Sequence, residues 1–297
     1  MDIKMDITPS IQWFPGHMTK TKRMIEKNLK MVDLVLEIID ARIPMSSKNP
    51  EFDRWLNNKP RIVLLNKADC ADENVTRQWV AYFKSIGIEA IAGDCKTGKG
   101  LKALDASMKR VLEEKQAQWN RKGMVGRAPR MMIVGVPNVG KSSFINRMAG
   151  AKRAKAEDRP GVTRDKQWVT LNNGMELLDT PGVLWPKFED QSVGEKLAFI
   201  GSVKDDVVDT ELLAMRLAVY LREYYKDALY ARYKLTPETA DELEAYDLLR
   251  LIARKRGMLL SGNEEDTERM ALVFLDEFRG GKIGKISFER PPKKENA

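Results

Sequence analysis

The stretch "RIVLLNKAD", residues 61–69, reads as a buried strand that stops at a polar turn: Arg61, four aliphatic residues, then Asn66, Lys67, Ala68 and Asp69. A continuous apolar run of this kind marks a strand covered on both faces. The same texture recurs outward in both directions. Upstream lies "LVLEIID" (34–40). Downstream, "VTRQWVAYFKSIG" (75–87) has helical spacing through Val75, Trp79, Tyr82 and Phe83, and "IEAIAG" (88–93) is again strand-like. "LKALDASMKRVLEEKQAQWNRKG" (101–123) is a long amphipathic helix ending at Gly123. After the connector "GMVGRAPR" (123–130) come strand, glycine loop and helix in "MMIVGVPNVGKSSFINRMAG" (131–150). "KQWVTLNNGMELLDTPG" (166–182) reads as two strands around an Asn-Asn-Gly turn. Strands alternating with helices specify an α/β fold with a doubly wound, mostly parallel sheet.

Beyond about residue 190 the periodicity changes. "TELLAMRLAVYLREYYKDALYARY", "ADELEAYDLLRLIARKRG" and "DTERMALVFLDEFRG" carry apolar residues three and four apart. The expected organisation is an α/β domain over 1–189 and a second, smaller all-helical domain over 190–297.

The 297 residues, 43% apolar, are enough for one large or two modest domains. No apolar run approaches the roughly 18–20 residues of a membrane span. The start, "MDIKMDITPS", lacks the basic and apolar regions of a signal peptide. Two cysteines, Cys70 and Cys95, make neither a disulfide framework nor a metal site, so a reducing compartment, the bacterial cytoplasm, is expected, with no membrane partner. Lys plus Arg exceed Asp plus Glu by 51 − 43 = 8, an excess that attracts polyanions.

"GVPNVGKS" (135–142) matches the phosphate-loop pattern Gly-x-x-x-x-Gly-Lys-Ser, between a strand and a helix as the mechanism requires. Backbone amides of Pro137-flanked Asn138, Val139 and Gly140 can turn toward a β-phosphate. Lys141 reaches the β/γ oxygens, Ser142 offers its hydroxyl to Mg²⁺, and Ser143 continues the first helical turn. Asp179, at the end of an apolar strand in "LLDTPG", can hold the Mg²⁺ shell through water, and Gly182 can offer its amide to a γ-phosphate. Thr163, in "RPGVTRD" (159–165), can cap Mg²⁺ when a triphosphate is bound. The Asp69 carboxylate can accept from guanine N1–H and the 2-amino group, a fork that adenine lacks, with Asn66 and Lys67 beside it. Discrimination of this type reaches on the order of 10⁴–10⁵. Asp94-Cys95-Lys96, after the next strand, stands where GTPases carry Ser-Ala-Lys against the base.

The five elements of a P-loop GTPase are therefore present, in the order base, base, phosphate, switch one, switch two. In a doubly wound sheet every ligand loop sits at the carboxyl end of a strand, so the pocket depends on spatial order rather than chain order. The order is that of a circularly permuted Ras-like GTPase domain.

With "IQWFPGHM" (11–18), "DARIP" (40–44), "GVPNVGKSS", "DRPGVT" and "LLDTPGVLWPKF" (177–188), the chain resembles the bacterial ribosome biogenesis GTPase A (YlqF-type) family, from about residue 11 to about 290. The resemblance implies GTP/GDP and Mg²⁺ as ligands, a role in late assembly of the large (50S) ribosomal subunit, and a helical RNA-binding domain; ribosomal proteins are further candidate partners. Val183 and Leu184 stand where many GTPases carry a water-orienting glutamine, so hydrolysis is expected to be slow alone and stimulated by the subunit. His17 has two readings: it packs beside Trp13 and Phe14, or its segment swings over the nucleotide and it orients water. Asn138 is a candidate K⁺ ligand, by likeness to related GTPases. Switch two leads directly into the helical domain, so a nucleotide-controlled RNA switch is expected, with Arg250, Arg254, Lys255 and Arg256 as the RNA-binding face. The alternatives are an RNA-binding scaffold with a structural nucleotide site, and a GTPase acting on another RNA.

Overall fold

The computed structural model of the chain describes residues 23–56, 59–149, 168–178 and 190–292, which form two compact units. In the first, helical residues 23–29 (α1) precede β1 (Leu34–Asp40), α2 (Glu51–Trp55), β2 (Arg61–Asn66), α3 (Glu73–Ser85), β3 (Glu89–Ala92) and α4 (Leu101–Arg121). Then follow β4 (Arg130–Val134), α5 (Lys141–Ala149), β5 (Trp168–Thr170) and β6 (Glu176–Leu178). The strands make one six-stranded sheet in the order β3-β2-β1-β4-β6-β5. All neighbours are parallel except β5, which returns antiparallel to β6.

The sheet explains the apolar runs. All seven residues of β1 are buried, including Glu37 and Asp40, because the strand is covered on both faces and paired at both edges. One cluster joins Ile25 and Leu29 of α1, Phe52 and Trp55 of α2, and Val35, Met132 and Val134 of the sheet. Another joins Val75, Trp79 and Phe83 of α3 to Ile39, Val63, Leu65 and Ala90. The α3 start is set by Asp72, whose side chain accepts from the Val75 N–H at 2.9 Å.

Chain order and spatial order differ as the motifs require. Strand β4, which carries the phosphate loop, lies between β1 and β6, although β2 and β3 are already made when β4 begins. The parallel alignment of β2, β1, β4 and β6 puts the loops after their carboxyl ends along one edge of the sheet.

The second unit contains α6 (Gln191–Phe199), α7 (Thr210–Tyr224), α8 (Lys226–Tyr233), α9 (Pro237–Ala240), α10 (Ala245–Lys255) and α11 (Thr267–Arg279). Leu213, Leu217 and Leu221 of α7 are buried at helical spacing, as are Leu248 and Ile252 of α10 and Met270, Phe274 and Phe278 of α11, and α7 packs against both of these helices. Asp190, Asp209 and Asp266 cap α6, α7 and α11 through their side chains. No helix among the described residues is long and apolar enough to cross a membrane.

The helical unit ends at Ile286, whereas the sequence-based division carried it to residue 297. Residues 287–289 hydrogen-bond to the sheet-bearing unit. Asp72 N–H donates to Ser287 Oγ (3.1 Å), Phe288 N–H to the Arg42 carbonyl (2.9 Å), and Trp79 Nε1 to the Glu289 carbonyl (3.0 Å). The Glu289 carboxylate accepts from the Met45 N–H at 2.7 Å, from the Ser46 N–H at 3.2 Å and from the Ser46 hydroxyl. Apolar periodicity cannot reveal such a strap, because it is held by hydrogen bonds to backbone groups.

Candidate nucleotide site

The loop from Gly135 to Gly140 joins β4 to α5, and its shape follows from residues that tolerate positive φ: Gly135 (155°), Asn138 (60°) and Gly140 (100°). A Cβ on Gly140 would lie 2.2 Å from Asn66 Nδ2, so glycine at 140 is required for Asn66 to approach. Asn66 uses that space. Its Nδ2 donates to the Val139 carbonyl at 2.7 Å, and its Oδ1 accepts from the Cys95 N–H at 2.9 Å. One buried amide thus joins the phosphate loop, the Asn66–Asp69 turn and the Asp94–Lys96 turn.

Lys141 Nζ donates to the Gly135 and Val136 carbonyls (3.2 and 2.8 Å), which holds the ammonium across the loop. Ser142 and Ser143 are exposed in the first turn of α5, and Asn138 is exposed at the loop tip. The Ser142 hydroxyl is an oxygen donor of the kind that suits Mg²⁺. Asp179 itself follows β6 directly in the chain but, with His17, Thr163, Gly182 and Val183, lies outside the described residues. Among the described residues, Asn66 is the last residue of β2, and Pro137, Asn138, Val139, Gly140, Lys141, Ser142, Lys67, Asp69 and Asp94–Lys96 are on loops or helix starts after strand carboxyl ends.

The base-side turn is built by short contacts. Asp69 is exposed, with Cys70 Sγ donating to its Oδ2 at 3.5 Å. Asp94 is buried, yet hydrogen bonds from Thr97 and the Lys96 amide outweigh burial and hold its carboxyl below the usual range. This carboxylate shapes the turn. Burial pushes the Cys95 thiol up to about 12, and its amide is engaged by Asn66. The side chain of Lys96 is exposed and accessible to a ligand.

A residue without an assigned role in the sequence reading also belongs here. Asp40, at the end of β1, ion-pairs through Oδ2 with Lys67 Nζ at 3.2 Å and with Arg42 at 2.8 Å. The hints in the sequence are a carboxylate closing an apolar strand and its place at the head of "DARIP" (40–44).

In the helical unit, Arg250 and Arg254 both bind Glu265 (Nη2–Oε2 3.0 Å and Nε–Oε1 2.6 Å), and Arg256 binds Glu277. Lys255 is exposed, with no carboxylate within 4.0 Å among the described residues. Three of the four basic residues read as an RNA face thus also carry ion pairs inside the unit.

The sequence compares closely with known proteins. The ribosome biogenesis GTPase A of Priestia megaterium is 48% identical over 96% of this chain and 99% of its own length. The chain belongs to the ribosome biogenesis GTPase A family. The Thermotoga maritima member is 34% identical over 95% of each chain. Residues 130–231 match the family described as 50S ribosome-binding GTPase. Two solved structures of YlqF, one GDP-bound and one GNP-bound from T. maritima, each superimpose with a TM-score of 0.63. The GDP-bound one is 32% identical and covers 91% of this chain and 99% of its own. The ribosome biogenesis GTPase A family membership makes this chain a guanine-nucleotide-binding GTPase of ribosome assembly.

Proposed function

We propose that the chain binds GTP and GDP at the loops joined by Asn66, hydrolyses GTP with Mg²⁺, and uses the nucleotide state to control binding to the large ribosomal subunit and its rRNA during late maturation. The observation that carries this reading is the Asn66 amide, which connects a phosphate loop to a turn bearing a guanine-type carboxylate.

In this scheme Asp69 reads N1–H and the 2-amino group, and the exposed Lys96 side chain lies along the base. Loop amides from Asn138 to Lys141 and the Lys141 ammonium hold the phosphates. Ser142, Thr163 and Asp179 would hold Mg²⁺, which neutralises charge on the β- and γ-phosphate oxygens when bound. Asn138 is the candidate to hold K⁺ in the same region. Gly182 donates to the γ-phosphate and its loss of that contact moves switch two, which is covalently continuous with α6. His17 orients the attacking water once the subunit is engaged, which makes hydrolysis slow in the free protein. The RNA face is the Lys255 end of α10, together with Arg250, Arg254 and Arg256, in a bacterial cytoplasmic setting.

The test is GTP turnover with and without purified large subunits, in K⁺ and in Na⁺ buffers. Stimulation by subunits, larger in K⁺, is the expected result. Equal turnover with and without subunits would exclude a ribosome-triggered GTPase.

A further inference from the structure

The Lys67 side chain is held by a carboxylate that already has a full partner. Asp40 is completely buried, and Arg42, also completely buried, gives it three bonds: backbone N–H to Oδ1 (3.1 Å), Nε to Oδ1 (2.9 Å) and Nη2 to Oδ2 (2.8 Å). That bidentate pair neutralises the charge. Adding Lys67 Nζ at 3.2 Å leaves a second cation on one buried carboxylate, an arrangement that a purely structural pair does not need. Burial alone would raise the Asp40 pKa. The Arg42 guanidinium and the Lys67 ammonium outweigh it and hold the carboxyl well below the usual carboxylate range.

Lys67 needs this hold. Its φ is +57°, sparsely populated for a residue with a Cβ, and such a conformation persists only where its surroundings over-determine it. On one side Asn66 is fixed to Val139 and Cys95; on the other Asp69 is exposed and has only the Cys70 thiol as a hydrogen-bond donor among the contacts described above. The ion pair to Asp40 anchors the side chain of Lys67, between Asn66 and Asp69 in the same turn. Asp40 in turn is held through Arg42, whose carbonyl accepts from Phe288, and through its own N–H, which donates to Ser47 Oγ (3.0 Å), the residue after the 45–46 amides gripped by Glu289.

We infer that Asp40 is a positioning residue for guanine recognition: through its ion pair it sets Lys67 and thereby the Asp69 carboxylate, and the strap at residues 287–289 holds this arrangement from behind. The inference rests on the reading of Asn66–Asp69 as the guanine-reading turn. It assigns the base specificity of the site partly to a residue that never touches the base and to a strap distant in sequence.

The experiment measures the ratio of GDP to IDP affinity by competition against a fluorescent GDP analogue. IDP lacks only the 2-amino group, so the ratio reads the placement of Asp69, while phosphate contacts cancel. The variants are Asp40→Asn, Glu289→Ala, Lys67→Met, Asp69→Ala, and each of the first two combined with Lys67→Met. Asp40→Asn is expected to lower the ratio about tenfold, the size usual for removing a group that orients a ligand, and Glu289→Ala to lower it severalfold. In the Lys67→Met background neither change should lower it further, a non-additivity that general destabilisation does not produce. Glu289→Ala carries the test where Asp40→Asn, which leaves Arg42 buried without its carboxylate, fails to fold. A ratio unchanged in the folded single variants, or losses that add fully to that of Lys67→Met, overturns the inference. A wild-type ratio near one, no higher than that of Asp69→Ala, overturns the guanine-reading turn as well.

Discussion

The Asn66 side-chain amide donates to the Val139 carbonyl at 2.7 Å, across 73 residues of chain, and so the Asn66–Asp69 turn and the loop from Gly135 to Gly140 share one joint. Its other atom accepts from Cys95, and Val139 and Cys95 are both buried. Asn66→Ala leaves a buried carbonyl and a buried N–H without partners, at a cost of about 2 kcal/mol or more. Asn66→Asp is expected to be worse, because a carboxylate then faces the Val139 carbonyl. Urea unfolding and GDP titration of the two variants should rank them in that order, with GDP affinity reduced at least about tenfold in each.

Gly140 makes that joint possible. Gly140→Ala puts a methyl group 2.2 Å from Asn66 Nδ2 at a φ of +100°, so both the contact and the backbone oppose it. The expected loss exceeds about 1 kcal/mol of stability, with GDP affinity falling in parallel. Gly87→Ala, at φ +77° but with nothing near its Cβ, is the control: it carries only the backbone strain and should leave GDP affinity at the wild-type level.

Asp69→Asn replaces an acceptor of two N–H groups by an amide that can donate to a 2-oxo group. Preference should move from GDP to xanthosine diphosphate, with GDP affinity lowered by on the order of a hundredfold or more. Retention of wild-type preference for GDP, measured by competitive titration, would remove Asp69 from the base contact.

Glu265 is held at about 2 by hydrogen bonds from Arg254, with its own backbone amide and Arg250 also contributing. A carboxyl whose pKa is lower folded than unfolded stabilises the protein above its unfolded value, near 4.5, and that contribution is lost as pH falls toward 2. Acid unfolding of the helical unit should therefore steepen across that window. Glu265→Gln should flatten this limb when helical circular dichroism is followed from pH 6 to pH 2, with only a small change at neutral pH because the pair is exposed.

Lys255 tests the proposed RNA face apart from the ion pairs of its neighbours. Lys255→Ala touches no ion pair among the described residues, so it should weaken large-subunit binding and lower the salt slope by about one, leaving GDP affinity and melting temperature unchanged. Arg254→Ala also removes a bond to Glu265 and should lower the melting temperature as well. Sedimentation with large subunits at several salt concentrations measures both.

The sheet was legible because its signals are local: unbroken apolar runs for the buried strands, three-and-four spacing for the helices, and glycines where loops turn. Asn66 and Lys141, which the structure places at the carboxyl ends of strands, were likewise legible as local pattern. What escaped the sequence was pairing between distant side chains. Nothing near Asp40 announces Lys67 as a partner, and nothing in "ISFER" (286–290) announces Arg42 or Trp79. The basic run in α10 was legible as charge, but Glu265 and Glu277, which neutralise much of it, lie on later segments. Short helices such as α2 and the 191–199 helix also lack the length for a clear period.

Strand β1 pairs with β2 on one side and with β4 on the other, and β4 begins only at Arg130. On a translating ribosome, at roughly 5–20 residues per second, the apolar edge of β1 waits on the order of ten seconds for its second neighbour. During that interval its open amides and carbonyls are available to the strand of any other nascent chain. A polysome making this protein therefore holds several such edges at once, and the yield of native enzyme depends on how well they are shielded until residue 134 has emerged.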